Sequence, residues 1–122
     1  MLRDLSGKVA WITGAGTGIG EGGAVALAEA GMQVVLSGRR QDKLEAVATR
    51  CAGEPRIEVL DVSDHAAVND VAGRIFDAYG RIDVLLASAG INVTKRHWFD
   101  VVPEDWDSVI RIDLDGAFYC CK

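Results

Sequence analysis

The sequence predicts an α/β protein in which a doubly wound parallel sheet carries helices on both faces, and three observations support this prediction. Apolar runs of strand length alternate with amphipathic segments at about 30 residues per unit, the length typical of a βαβ repeat. The run at residues 82–88 is almost continuously apolar, as in a strand buried on both faces. A glycine-rich turn at residues 14–20 directly follows the first apolar run.

The chain is predicted to contain four strand–helix units. The strands are expected at residues 9–13, 33–37, 56–60 and 82–88. Each helix is predicted from small or apolar residues that recur three and four positions apart. In chain order these residues are Ala24, Leu27, Ala28 and Gly31; Leu44, Val47, Ala48 and Cys51; Val68, Val71, Ala72, Ile75, Phe76 and Tyr79; and Trp106, Val109, Ile110, Leu114, Ala117 and Phe118.

Residues that favour helix ends lie where these units require them. Three glycines come just after predicted helices, where a left-handed residue is favoured: Gly31, Gly53 and Gly80. Ser63 or Asp64 can cap the third helix, and Pro103 suits the first turn of the fourth. Residues 91–102 form a connection long enough to carry function. Trp98 and Phe99 in this loop are expected to contact either a substrate or the core.

The turn at residues 14–20 is predicted to bind a dinucleotide. Strict alternation with right-handed crossovers gives a parallel sheet, and in the doubly wound order 3-2-1-4 a crevice opens at the carboxyl ends of the first and fourth strands. The glycine turn and residues 87–90 therefore line one cleft. Residues without a Cβ, followed by a free helix N-terminus, suit a pyrophosphate. The alternative is a purely structural turn, whereas a GxxxxGK[ST] phosphate loop is excluded because no Lys follows the glycines. We interpret residues 1–122 as the N-terminal part of a single dinucleotide-binding Rossmann domain.

Composition excludes several other classes of protein. The 122 residues are 49% hydrophobic, and 13 basic against 18 acidic residues give a net charge of −5, which argues against nucleic-acid binding. No apolar stretch is long enough to cross a membrane, and residues 1–7 lack the apolar core of a signal peptide. Three cysteines without CxxC spacing suit a reducing compartment. A cytoplasmic protein without membrane or metal is expected, since His65 and His97 have no metal-type partners nearby.

Several motifs in order resemble the short-chain dehydrogenase/reductase family over the whole chain. Thr13 to Gly20 match its TGxxxGxG turn, Asp61-Val62 match its adenine-contacting dipeptide, and residues 87–90 resemble its Asn-Asn-Ala-Gly segment with both Asn replaced. The replacements leave room for a backbone contact to the adenine ribose but remove the side chains that brace this turn in the family. The cofactor-binding residues that the resemblance implies here are Gly14, Thr17, Gly18, Ile19, Gly20, Asp61, Val62, Ala87, Ser88, Ala89 and Gly90.

Asp113 is the candidate catalytic residue. The segment from Trp106 to Gly116 resembles the family's helix pattern of Trp followed by Asn-x-x-Gly, and Asp113 takes the place of the Asn in the catalytic tetrad. Helical spacing independently places Asp113 as the sole charge on the face formed by residues 106, 109, 110, 113, 114, 117 and 118. Burying a carboxylate is costly unless it is paired. The alternative is an edge position that reaches solvent or caps a neighbouring amide.

The end of the second strand favours NADP over NAD as the cofactor. An acid at this point binds the ribose 2′-hydroxyl of NAD, whereas an Arg accommodates the 2′-phosphate of NADP. Here the chain has Gly38 where NAD-type members of the family have Asp, and Arg39 and Arg40 follow at once. The alternative is that the two arginines only solvate the start of the helix. Thr17 is not the basic residue that many NADP-type members carry in the glycine turn.

The resemblance implies hydride transfer between a nicotinamide cofactor and a small carbonyl or alcohol substrate. The family's Ser, Tyr and Lys lie beyond a fifth strand, and neither Tyr79 nor Tyr119 has a Lys four residues later. The sequence also ends within the fourth helix and leaves the fourth strand at an edge. We therefore expect the N-terminal part of a reductase that is inactive alone and forms a dimer or tetramer at full length. The alternative is a non-catalytic nucleotide-binding module or a truncated pseudo-enzyme.

Overall fold

The computed structural model describes residues 4–122. Residues 1–3 lie outside the described residues. They are part of the segment 1–7, for which the sequence predicts no apolar signal-peptide core. In chain order the elements are β1 (Val9–Thr13), α1 (Gly18–Glu29), β2 (Gln33–Gly38), α2 (Gln41–Ala48), β3 (Arg56–Val59), α3 (His65–Tyr79), β4 (Val84–Ala87), a 3₁₀ turn (Trp98–Asp100), α4 (Pro103–Val109), a π-helix (Ile110–Asp115) and α5 (Gly116–Cys121). No helix within residues 4–122 combines the length and apolarity needed to cross a bilayer.

The four strands form one parallel sheet in the order β3-β2-β1-β4, which confirms the predicted topology. In the register of the sheet, Trp11 of β1 lies between Val35 of β2 and Leu85 of β4. Every residue of β1 is buried, because this strand has a neighbour on each side and helices above and below. The first and fourth strands are therefore adjacent, as a cleft at their carboxyl ends requires.

Two apolar cores, one on each face of the sheet, confirm the doubly wound architecture. Successive side chains of a strand point to opposite faces, so Ala10 and Ile12 pack with α1 and α2, whereas Val9 and Trp11 pack with α3. The buried indole N–H of Trp11 donates to Ser37 Oγ at 2.9 Å, which satisfies two polar groups inside the core.

β1 has its predicted bounds, and the boundaries that differ in the other strands do so by one or two residues. β2 continues through Gly38 and β3 ends at Val59, one residue earlier than predicted. β4 covers only Val84–Ala87, because Asp83 joins β1 through its backbone amide and its carboxylate rather than through a continued ladder. At the other end, the Ser88 amide donates to Leu86 O at 3.0 Å and turns the chain out of the strand.

The predicted helix ends are confirmed except at Gly53. Gly31 and Gly80 have positive φ angles next to the ends of α1 and α3, and Gly80 is the left-handed C-cap of α3. α2 already ends at Ala48, with Thr49 as its C-cap, so Gly53 has its positive φ in the loop that follows. Asp64 caps the start of α3, where its carboxylate accepts from the Ala67 amide at 3.1 Å. Pro103 lies in the first turn of α4.

Within residues 4–122, the large apolar residues of the stripe predicted for the fourth helix do not pack against the core. Trp106, Leu114 and Phe118 are 54%, 61% and 60% exposed. The residues that pack against the core are Ile112, Gly116, Tyr119 and Cys120. A Cβ on Gly116 would lie 2.5 Å from Val62 Cγ2, so the chain approaches the sheet through its glycine rather than through its large apolar residues. Asp113 is exposed on the same helix, as in the alternative of an edge position.

Candidate functional site

A cleft opens at the carboxyl ends of β1, β2 and β3, beside the turn that leaves β4. Of the predicted cofactor-binding residues, it brings together Gly14, Thr17, Gly38, Arg39, Arg40, Asp61, Val62, Ala89 and Gly90. Five predicted residues do not line it: Gly18, Ile19, Gly20, Ala87 and Ser88. Six residues that sequence reasoning missed do line it: Gly16, Lys43, Leu44, Leu60, Ile91 and Ile112. The cleft thus joins segments up to 98 positions apart, from Gly14 to Ile112.

The glycine turn, residues 14–20, contains glycines with two different roles. A Cβ on Gly14 would lie 2.6 Å from the Ala89 amide nitrogen, and one on Gly20 would lie 2.1 Å from Gly14 O. These two glycines are required for the backbone to pack. Gly18 differs, because it has a φ of +58° and no heavy atom within 4 Å of its Cβ position. The space beside Gly18 is open, and the first amides of α1 have no partner within the helix.

The carboxyl end of β1 is tied to both neighbouring strands. Thr13, which is 1% exposed, accepts from the Ala89 amide through Oγ1 at 3.3 Å. The Ala15 amide donates to Ser37 O at 3.0 Å and fixes the turn against β2. The hydroxyl of Thr13 thus braces residues 87–90, a segment in which Ala87 and Ser88 replace the asparagines of the family pattern.

The end of β2 and the start of α2 carry three exposed cations, which we call the cationic wall: Arg39, Arg40 and Lys43. Gly38 contributes no acid at this point, and its missing side chain leaves room for Leu44, whose Cδ2 lies 3.2 Å from the Cβ position. The ion pairs within residues 4–122 involve other arginines, namely Arg50, Arg56, Arg74 and Arg81. The cationic wall is therefore available to an anion.

Asp61 provides the cleft with an ionised acceptor at the end of β3. Its Oδ1 accepts from the hydroxyl and the amide of Ser63, at 2.7 and 2.9 Å. The hydroxyl bond is the main cause that lowers the pKa of Asp61, with smaller contributions from the amide and from the charges of Arg39 and Arg111. Burial opposes this shift without reversing it. Leu60 and Val62 are buried on either side, so a flat apolar ring with an amino group fits this corner.

Asp113 lies in the π-helix and contacts the segment that follows β4. Its Oδ1 accepts from the Ile91 amide at 2.8 Å and lies 3.3 Å from the Cβ position of Gly90. This geometry fits the alternative in which Asp113 caps a neighbouring amide. π-Helical turns are frequent at functional sites. The large side chains of the preceding loop are free, since Trp98 is 75% and Phe99 87% exposed, and neither anchors the core.

The doubly wound parallel sheet, with a glycine turn where β1 and β4 diverge, defines a Rossmann-type α/β protein. Comparison with known proteins then identifies the family. The family model for short chain dehydrogenases matches residues 8–122, and the chain belongs to the short-chain dehydrogenase/reductase family of oxidoreductases.

Individual relatives extend this result. The chain is 36% identical over 116 residues to meso-2,3-butanediol dehydrogenase of Serratia marcescens, covering 94% of this chain and 46% of the relative. A metagenomic short-chain oxidoreductase solved in complex with NADP superimposes with a TM-score of 0.90 at 34% identity, covering 97% of this chain and 55% of that one. A 3-ketoacyl-(acyl-carrier-protein) reductase from Brucella melitensis complexed with NADH has a TM-score of 0.90 at 32% identity, covering 96% and 48%. The chain spans about half the length of the curated relatives it matches.

Proposed function

We propose that the complete protein transfers hydride between a nicotinamide cofactor, NADP in preference to NAD, and a small carbonyl or alcohol substrate. Residues 4–122 would bind the adenosine and pyrophosphate of the cofactor. The observation that carries this proposal is the cleft that joins Gly14, Gly16 and Thr17 of the glycine turn to the acid-free end of β2 and the Asp61 carboxylate after β3. The complexes of the two solved relatives, one with NADP and one with NADH, support a nicotinamide cofactor.

The open space beside Gly18 is the proposed position of the pyrophosphate. The left-handed φ and the empty surroundings of Gly18 suit close approach of a ligand, and the start of α1 presents amides and a positive dipole end to an anion. Thr17 is the N-cap of α1 but makes no capping bond through its side chain, so it does not satisfy these amides itself. The residues at this point therefore fit the group that the family implies.

The proposed adenine site is the corner formed by Asp61 and Val62. An ionised carboxylate accepts the hydrogen bond that an exocyclic amine donates, and the buried aliphatic neighbours suit a planar base. The proposed position of the ribose 2′-group is beside Arg39 and Gly38. A 2′-phosphate there meets the Arg39 cation, and residue 38 contributes no carboxylate. This arrangement supports NADP over NAD.

Asp113 is proposed to act on the nicotinamide side of the cleft. Through its bond to the Ile91 amide it positions the segment after β4, and its backbone carbonyl is a candidate to hold a water in a proton relay. The cofactor supplies or accepts the hydride. Because Tyr79 and Tyr119 lack a Lys four residues later, we propose that residues 1–122 alone do not turn over. We also propose a cytoplasmic dimer or tetramer at full length.

The test is cofactor binding and turnover by the full-length protein. Titration with NADPH and NADH, followed by nicotinamide fluorescence, should give tighter binding of NADPH. A panel of aldehydes and ketones should then cause loss of absorbance at the nicotinamide band. Binding without turnover on any member of the panel would favour the non-catalytic nucleotide-binding module. Failure to bind either nucleotide would overturn the proposal.

A further inference from the structure

We infer that Lys43 is a specificity-determining residue that gives the 2′-phosphate of NADP a second cationic contact beside Arg39. This inference rests on the proposed function and names a residue that neither the glycine pattern nor the end of β2 indicates. Lys43 is the third residue of α2, lies on the surface and lines the same cleft as Arg39.

The missing side chain of Gly16 admits Lys43 to the cleft. A Cβ on Gly16 would lie 3.0 Å from Lys43 Cβ, which is closer than side chains normally pack. The stem of Lys43 therefore lies against the glycine turn only because residue 16 has no side chain. This contact brings a cation to the turn from α2, on the side where Thr17 contributes none.

The next residue, Leu44, fixes the orientation of Lys43. Leu44 is fully buried, and its Cδ2 lies 3.2 Å from the Cβ position of Gly38 and 3.9 Å from that of Gly16. Leu44 thus packs between the end of β2 and the glycine turn. Because adjacent helical residues are about 100° apart, the rotation that buries Leu44 places Lys43 at the rim of the cleft.

The charge of Lys43 is not neutralised by a neighbour. Its position three residues after Arg40 places the two cations on the same side of the chain. No salt bridge joins Lys43 to an acid within residues 4–122, and the nearby Glu45 accepts a hydrogen bond from Gln41 instead. A lysine ammonium on a flexible stem suits a phosphate that already has an arginine on one side. In a chain with a net charge of −5, this local excess of positive charge favours a ligand with an additional phosphate.

The test uses two small ligands that differ only in the 2′-phosphate, adenosine 2′,5′-bisphosphate and 5′-AMP, titrated into the full-length protein by calorimetry. Lys43→Met should weaken the bisphosphate about fivefold or more, as expected for a charged hydrogen bond in an open site, and leave 5′-AMP within about twofold. Lys43→Arg should retain the preference. The matched control is Lys8→Met, which removes the same charge from an exposed lysine at the opposite end of β1.

Three outcomes would contradict the inference. Equal weakening of both ligands by Lys43→Met would assign Lys43 to the shared 5′-phosphate, and no weakening would remove it from the site. A wild-type protein that binds 5′-AMP as tightly as the bisphosphate would overturn specificity for the 2′-phosphate while leaving nucleotide binding intact. The proposed function fails separately, if the wild-type protein binds neither these ligands nor NADPH and NADH.

Discussion

The carboxyl ends of β1 and β2 both line the cleft, but they contribute differently: the first through tightly packed backbone, the second through exposed charged side chains. At the end of β1, backbone packs on backbone: Gly14 approaches Ala89, Gly20 approaches Gly14, and Thr13 is buried. At the end of β2, the cationic wall consists of long exposed side chains that form no ion pair within residues 4–122. The first end determines the shape of the cleft and, at Gly14 and Gly20, leaves no room for an added side chain. The second determines its charge and can change without loss of the fold.

The arginines of the cleft also differ from two arginines next to the outer strand, Arg56 on β3 and Arg74 on α3. Arg56 and Arg74 both bind the carboxylate of Glu58 on β3, at 3.0 Å, whereas Arg39 and Arg40 bind no acid in the described part of the chain. Glu58 thus holds two arginines in ion pairs beside the sheet, whereas the arginines of the cleft have no such partner within residues 4–122.

The largest effect is expected at Gly20. Gly20→Val places a branched side chain against Gly14 O, where even a Cβ would lie at 2.1 Å. We expect the full-length protein to lose about 3 kcal/mol or more of its free energy of unfolding, measured by urea denaturation. The matched control is Gly22→Ala in the same helix, which meets no atom within 4 Å and should be neutral or slightly stabilising. Equal stability of the two variants would show that the turn is not tightly packed.

The next effect concerns the choice of cofactor at the end of β2. Replacing Gly38 by Asp and Arg39 by Leu should invert the ratio of NADP to NAD affinity, because a carboxylate repels the 2′-phosphate and accepts from the 2′-hydroxyl. Loss of a charged hydrogen bond corresponds to about 1.5–3 kcal/mol. The Asp requires only a small shift of Leu44 Cδ2, so the free energy of unfolding should change little. Tighter binding of NAD than of NADP by the wild-type protein would refute this prediction.

Gly18 separates the shape of the glycine turn from its ligand. Gly18→Val should weaken NADP binding at least tenfold, about 1.4 kcal/mol, because a side chain fills the open space proposed for the pyrophosphate. Valine also strains a φ of +58°. Gly18→Asn is the matched variant, since Asn tolerates this conformation and still adds a Cβ. If both variants fold and bind NADP as the wild type does, the turn has a structural role only.

A smaller effect is expected at Glu58, outside the cleft. Burial raises the pKa of Glu58, but hydrogen bonds and charges from Arg74 and Arg56 outweigh it and hold the pKa of this carboxyl below its ordinary value. A folded-state pKa below the unfolded one contributes stability above that value, and the contribution disappears as the pH falls through the folded pKa. Glu58→Gln should therefore cost up to about 1 kcal/mol at pH 7 and less in acid. NADP affinity should not change, in contrast to a change at Arg39.

The smallest effect is expected from Asp113→Asn. Asn retains the oxygen that accepts from the Ile91 amide and adds a donor, so turnover by the full-length enzyme should be preserved or increased. Asp113→Ala, which removes the acceptor, should reduce turnover and serves as the comparison. A loss of about 100-fold in the Asn variant, about 2.7 kcal/mol of barrier, would mean that the carboxylate itself is required.

The sequence alone determined the elements whose signals are local. Periodicity predicted the four strands, and the alternation of strands and helices predicted their order, because right-handed crossovers leave few alternatives. Gly31 and Gly80 were predictable as helix ends, since a left-handed residue depends on its immediate neighbours. The glycine turn and the cations at the end of β2 were predicted from their positions relative to the strands.

Only the tertiary structure decided which surfaces meet. The fourth helix approaches Val62 through Gly116, a contact between residues 54 positions apart, and this contact turns Trp106, Leu114 and Phe118 outwards. Helical spacing gives the faces of a helix but not which face the sheet selects, and the smallest side chain allowed the closest approach here. A missing side chain also places Lys43 at the cleft, because Gly16 leaves room for the Lys43 stem to pack against the glycine turn. Thr13 braces the end of β4 because parallel pairing places Ala87 beside it. The bonded Ala89 amide is 76 positions away in the chain, so a pattern of neighbouring residues cannot predict this contact.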